Sequence, residues 1–127
     1  SNEEFAEELA VSRDGMIYIA GYSDAWDGPA GQLPSHAHSG YLDAFVLALM
    51  PDGDYLWHTF YGSSGVDKAL ALGLDSQNRL FVGGVAALTW KGDGGTNPLH
   101  AHSTSGDIFA LRLDNPVYRL YAPLVKK

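Results

Sequence analysis

Cysteine is absent from the chain, which removes disulfides, thiol nucleophiles and thiolate metal sites together while leaving the cellular compartment open. Cations are scarce: eight Lys and Arg face fifteen Asp and Glu, for a formal net charge of −7. A phosphate backbone is gripped by clustered cations, so nucleic acid is not expected as a partner, and an anionic membrane surface offers no attraction either. No apolar run approaches the roughly 18 residues of a membrane-crossing helix, so no membrane insertion is expected. Missing too are a Gly-x-Ser-x-Gly elbow, a phosphate loop, a zinc-protease helix and an Asp-x-Asp-x-Asp calcium loop. With none of these, there is no catalytic residue to nominate, and the chain is read as a non-enzyme. No signal peptide stands at the start, and Ser1-Asn2 ahead of an acidic run reads as a cloning remnant, with the natural N-terminus upstream.

What is present argues for a folded protein. A hydrophobic share of 46% with five Phe, seven Tyr and three Trp is far from the composition of a disordered chain. At 127 residues the protein has the size of one domain, enough to bury roughly 60% of its unfolded surface if compact. The chain also repeats itself. His36 to Met50 reads His-Ala-His-Ser-Gly-Tyr-Leu-Asp-Ala-Phe-Val-Leu-Ala-Leu-Met, and His100 to Asp114 reads His-Ala-His-Ser-Thr-Ser-Gly-Asp-Ile-Phe-Ala-Leu-Arg-Leu-Asp. The offset is 64 positions, and Asp43, Phe45, Leu47 and Leu49 recur as Asp107, Phe109, Leu111 and Leu113. Such a period marks stacked supersecondary units, the first over 1–64 and the second over 65–127.

Each unit reads as short antiparallel strands. Asn2 to Leu9, with Glu3, Glu4, Glu7 and Glu8, is expected to be a solvated lead-in. Leu9-Ala10-Val11 forms a short strand, Ser12-Arg13-Asp14-Gly15 a tight turn, and Met16 to Tyr22 a strongly β-forming run. The pattern returns 63 positions later in Leu72-Gly73-Leu74, Asp75-Ser76-Gln77-Asn78 and Arg79 to Gly84, with Asn78 standing for Gly15. Both residue types tolerate a positive φ, so the turn is kept while the sequence drifts. Long polar connections follow, Ser23 to Leu42 and Ala86 to Gly106, each with a Trp-x-Gly, a Pro and the His pair. Connections of about 20 residues are uncommon in compact domains and are often functional. Asp43 to Met50 is apolar enough for a third strand covered on both faces, and Pro51-Asp52-Gly53-Asp54 turns into an outer fourth strand, Tyr55 to Tyr61. In the second unit, Asp114 to Val117 is expected to turn into a last strand, Tyr118 to Val125, where Pro123 suits an edge. Four short antiparallel strands are the content of one propeller blade.

Three stretches carry a family likeness: Leu9 to Tyr22 as Leu-x-Val-x-x-Asp-Gly-x-Ile-Tyr-Ile-x-Gly-Tyr, Asp43 to Trp57 as Asp-Ala-Phe-Val-x-x-Leu-x-Pro-Asp-Gly-x-x-x-Trp, and Phe60-x-Gly62. Together they resemble the SBBP-type β-propeller repeats of bacterial surface and secreted proteins. A second copy from Leu72 to Tyr121 departs at Gln77-Asn78, at Asn115-Pro116 and where Leu120 replaces Trp57. The resemblance spans nearly the whole chain. It implies an all-β fold of two four-stranded antiparallel propeller blades in an extracellular or cell-surface bacterial setting, and it supplies no catalytic residue. The departures, with the ending Tyr-Ala-Pro-Leu-Val-Lys-Lys, mark the second copy as a terminal, capping one in a longer protein. Propellers close with roughly four to eight blades, so the expected partners are other blades of a parent chain or further copies in a homo-oligomeric ring.

Candidate site residues lie in the long connections. His36, His38, His100 and His102 are imidazoles from equivalent places, and a His-x-His spacing suffices for two ligands of one zinc, copper or nickel ion. No carboxylate or third His sits at fixed spacing, so the imidazoles are read first as hydrogen-bonding loop backbone. No cofactor is then assigned, and an adventitious or structural metal ion is the alternative. Trp26 beside Asp27, and Trp90 beside Asp93 and Asn97, offer rings that can stack on a sugar and polar groups that can bind hydroxyls. The competing reading has each Trp plugging the gap between blades, its indole N–H satisfied by a loop carbonyl. Trp57, within a strand, is read as a packing residue. Asp43 and Asp107, ahead of the third strands, are placed to accept backbone N–H groups from the returning loop. The expected function is a non-catalytic binding or scaffold module with a carbohydrate or protein ligand. The alternatives are a lectin-like ring of two-blade chains and a metal-binding protein using the His-Ala-His loops.

Overall fold

The computed structural model of the chain describes residues 3–103 and 106–113. Among these residues the fold is all-β, with two antiparallel sheets and no α-helix. The first sheet contains β1 (Glu4–Val11), β2 (Ile17–Ser23), β3 (Asp43–Leu49) and β4 (Tyr55–Tyr61), hydrogen-bonded in chain order. The second contains β5 (Asp67–Leu74), β6 (Leu80–Ala86) and β7 (Asp107–Leu113), again in chain order. The turn and strand expected over Asp114 to Val125 lie outside the described residues.

The hairpins close on the residues that turn chemistry demands. Gly15 adopts φ 87° and Asn78 φ 59°, and each donates its N–H to the carbonyl three residues earlier, Ser12 and Asp75. β1 is longer than expected. Glu4, Phe5, Ala6 and Glu8 are paired strand residues, not a solvated lead-in, with β1 running from Glu4↔Ser23 to Val11↔Ile17 against β2. Almost all side chains of β1 are exposed, so its backbone ladder holds it, and hydrophobic alternation carries no signal of that.

Both sheets slip by one residue near the start: at Glu7 between β1 and β2, and at Leu70 between β5 and β6. Each bulge presses a carbonyl onto a glycine of the next strand. A Cβ on Gly21 would stand 1.8 Å from the Phe5 carbonyl oxygen, and one on Gly84 1.9 Å from that of Lys68. The Phe45 and Phe109 rings close the other side at 3.0 and 2.8 Å.

One core joins the sheets. Tyr18, Ala20, Ala44, Val46, Ala48 and Trp57 of the first pack with Ala69, Leu80, Val82 and Leu113 of the second, β5 lying against β1, β2 and β3. Trp57 is buried, as a packing residue should be. The outer faces are open, with Ile17, Ile19, Leu47 and Leu49 half-buried on the first sheet and Phe81 and Ile108 exposed on the second. The backbone is stitched at one end by a parallel bridge between Leu42 and Val66, where the Asp67 N–H donates to the Leu42 carbonyl at 2.7 Å.

The bulge geometry sets a test. Gly84→Ala and Gly21→Ala should each cost about 1–3 kcal/mol or more through forced backbone movement. Gly73→Ala, whose Cβ would meet nothing within 4 Å, should stay within about 0.5 kcal/mol of the parent. Urea unfolding midpoints decide it.

Candidate functional site

The connection from β2 to β3 doubles back over the outer edge of β4. Ser35 donates its N–H to the His58 carbonyl at 2.9 Å, and Phe60 donates to the His36 carbonyl at 3.1 Å. An edge strand's unpaired groups are thereby covered, which is why most of β4 is buried although it ends its sheet. Beneath this cover Trp26 stacks on His58, with centroids 4.0 Å apart and planes at 15°, flanked edge-on by Phe45 and Phe60. The indole N–H goes to the Ser23 hydroxyl at 3.0 Å. Trp26 therefore packs within its own sheet and not between sheets, and its partner is a hydroxyl, not a loop carbonyl. Asp27 stands exposed beside it.

His58 is the member of this cluster that no motif announces. It is fully buried, with Nε2 2.9 Å from the Trp26 carbonyl and Nδ1 2.6 Å from the Tyr55 hydroxyl. A carbonyl only accepts, so Nε2 carries the hydrogen and Nδ1 accepts from Tyr55. Burial pushes the imidazole pKa down, outweighing the Trp26 carbonyl and the Asp27 charge, which favour the charged form. The signal for it was the alternation of β4, which places His58 on the same face as Phe60.

Three other imidazoles each place a nitrogen on a strand carbonyl. His36 Nδ1 lies 2.8 Å from the Phe60 oxygen, and its ring stacks on Tyr61 at 4.7 Å. His38 Nε2 lies 3.1 Å from the Ser23 oxygen, and His102 Nε2 lies 3.2 Å from the Ala86 oxygen. His100 is exposed. Among the described residues no three or more His, Asp or Glu side chains gather where they could hold a metal ion.

The loop returns are clamped by carboxylates. Asp43 Oδ2 accepts the N–H and hydroxyl of Ser39 at 2.8 and 2.9 Å, and Asp107 Oδ2 accepts those of Ser103 at 2.6 and 3.0 Å. This is the role their positions predict. A third clamp, Ser63 on Asp67 at 2.7 and 2.9 Å, has the same Ser-x-x-x-Asp spacing. This pair had no role in the sequence reading, and its spacing was the signal that would have found it.

The second connection is more open. Trp90 meets Tyr61 at 5.8 Å and the edge of Phe109 at 5.4 Å, so it reaches from the second sheet to the first. Asp93 accepts the Tyr61 hydroxyl at 2.8 Å. Burial, then the Asp93 carboxylate, pushes the Tyr61 pKa up. A cavity of about 310 Å³ brings Trp90, Asn97, His100 and His102 together beside Ile108 and Phe109. Asp93 is engaged with Tyr61, and Trp26 and Asp27 belong to the first connection. A scan of protein-family models finds none that matches the chain, and no curated protein matches it.

A buried neutral imidazole makes stability depend on pH. Because its folded pKa lies below the ordinary value near about 6.5, the stabilisation from His58 is complete above that value and lost as pH falls through the folded one. Melting temperature should therefore decline on acidification below about pH 6.5. His58→Phe should lose this dependence while lowering stability by about 1–3 kcal/mol through the orphaned Tyr55 hydroxyl and Trp26 carbonyl. A decline unchanged in the variant would assign it elsewhere.

Proposed function

We propose that the chain supplies two consecutive blades of an SBBP-type β-propeller and serves as a non-catalytic binding or scaffold module of a bacterial surface or secreted protein. The observation that supports this reading is the head-to-tail stacking of the two sheets. At an offset of 63 or 64, Leu80, Val82 and Leu113 of the second sheet correspond to Ile17, Ile19 and Leu49 of the first. The former are no more than 7% exposed; the latter are half-buried on an outer face that, among the described residues, no sheet covers. Conversely, Tyr18 and Ala44, at 0% and 4% exposure, correspond to Phe81 and Ile108 at 44% and 87%. Each sheet offers the next one the face that its neighbour has used, and such heterologous contacts build a ring where the rotation between units closes. The extracellular setting rests on the family resemblance, and the non-catalytic assignment on the lack of a catalytic motif.

A carbohydrate-binding reading attaches to the second connection. There Trp90 lines the cavity with Asn97, His100 and His102, whereas Trp26 has one face taken by His58.

Light scattering on the isolated chain should give a mass that rises with concentration or settles at a small closed ring. Ile19→Lys and Ile108→Lys, on opposite open faces, should each return it to a monomer with an unchanged circular dichroism spectrum. A monomer at every concentration would count against these faces as packing surfaces in this chain. On a glycan array, binding weakened tenfold or more by Trp90→Ala would favour the sugar reading, and a blank array would leave the scaffold.

A further inference from the structure

The joint between the sheets contains two carboxyl groups that, among the described residues, no lysine or arginine pairs with. The bridge between Leu42 and Val66 sets the residues that follow, Asp43 and Asp67, side by side at the starts of β3 and β5, both 0% exposed. Asp43 Oδ1 and Asp67 Oδ2 stand 2.5 and 2.7 Å from the point that a Cβ on Gly62 would occupy. Asp67 is well supplied, accepting from the Ser63 N–H and hydroxyl and from the Ala87 N–H at 3.1 Å. Among the described residues, Asp43 is served by Ser39 at Oδ2 only, and its Oδ1 is buried without a hydrogen-bond partner.

Acceptors outnumber hydrogens around this point. The Ser39 hydroxyl lies 2.9 Å from Asp43 Oδ2, 2.7 Å from the Gly62 carbonyl and 3.3 Å from that of Ser63. It has one hydrogen to give. Desolvation and mutual repulsion act together against charging two buried carboxyls that face one point. His38, in the connection before β3, is among the described residues the one other titratable group whose charge bears on Asp43. Lys68, next to Asp67, is turned over the Tyr22 ring at 4.7 Å. Residues 62–66 carry no titratable side chain, nor does Ala87. A calcium ion would need roughly six to eight oxygen ligands, and among the described residues no third His, Asp or Glu side chain joins the two carboxyls.

We infer that Asp43 and Asp67 hold a single proton between them, carried on Oδ1 of Asp43 and donated to Oδ2 of Asp67, and that this proton fastens the two sheets together. The inference is independent of the blade reading. Burial pushes the Asp43 carboxyl up, outweighing the two Ser39 hydrogen bonds and the His38 ring that pull it down, and the Asp67 charge adds to the rise. A raised carboxyl stabilises the fold fully below its ordinary value near about 4, and that stabilisation is lost as pH rises through the folded value.

Asp43→Asn places an amide N–H where the proton is proposed to sit. Chemical unfolding of parent and variant from about pH 4 to about pH 8 isolates the pair, since His58 acts equally in both. The ratio of unfolding constants, parent over variant, should climb by up to about tenfold per pH unit and then level off. Carbon-13 spectra of the parent should show the Asp43 carboxyl titrating above the ordinary carboxylate range, a readout that survives if the variant does not fold. A flat ratio, or an Asp43 carboxyl titrating at or below the ordinary value, overturns the proposal. So does calcium raising the melting temperature of the parent, but not of the variant, at neutral pH, which would put a cation in place of the proton.

Discussion

A carboxyl group at the first residue of a strand, holding the N–H and hydroxyl of a serine four residues earlier, recurs at Asp43, Asp67 and Asp107. The long connections depend on it for a defined return. Ordering a residue costs about 1–2 kcal/mol of conformational entropy, while a hydrogen bond returns about 0.5–1.5 kcal/mol, rising to about 1.5–3 kcal/mol where the acceptor is charged. Over a connection of some twenty residues the clamp alone is far outweighed. The remainder comes from what the clamp positions: in the first connection, the Trp26 and His58 stack and the two backbone bonds that cover β4. Clamp and cover are therefore one device, and neither would order the segment alone.

This makes the two connections unequal in what they are free to do. The first is committed to the fold, with its Trp stacked and both of its imidazoles hydrogen-bonded to strand carbonyls. The second is mostly exposed from Lys91 to Ala101 and encloses a cavity. A residue and its counterpart one offset away thus hold different jobs, and a site read onto one copy does not transfer to the other. Trp26 and Trp90 make the point: one is stacked on a buried imidazole, the other lines a cavity and touches both sheets.

The parts legible in the sequence were those governed by local chemistry. Gly15 and Asn78 announce positive φ, the alternation of β2 gives its faces, and Asp43 and Asp107 sit where a returning loop needs an acceptor. What was not legible depended on the partner strand. The glutamates of β1 read as solvated because they are, yet their backbone is paired. The bulges at Glu7 and Leu70 leave no composition signal beyond Gly21 and Gly84 in the facing strands. His58 looks like an ordinary polar residue of an outer strand until the connection folds over it. Asp67 lies 24 residues from Asp43, and only the packing of one sheet on the other makes them neighbours.

That neighbourhood bears on the blade proposal. At the offset of 63 the counterpart of Asp67 is Glu4, and at 64 the counterpart of Asp43 is Asp107, so a carboxyl is retained at both outer positions. Glu4 starts β1 and Asp107 starts β7, one on each of the sheets that end the stack. Stacking a further sheet head to tail would bring an Asp107-type carboxyl against a Glu4-type one, repeating the joint with a side chain one methylene longer. Two acids retained at positions that only stacking brings together are hard to explain by solubility alone. They are what a further joint of the proposed stack would use if one proton serves two carboxyls.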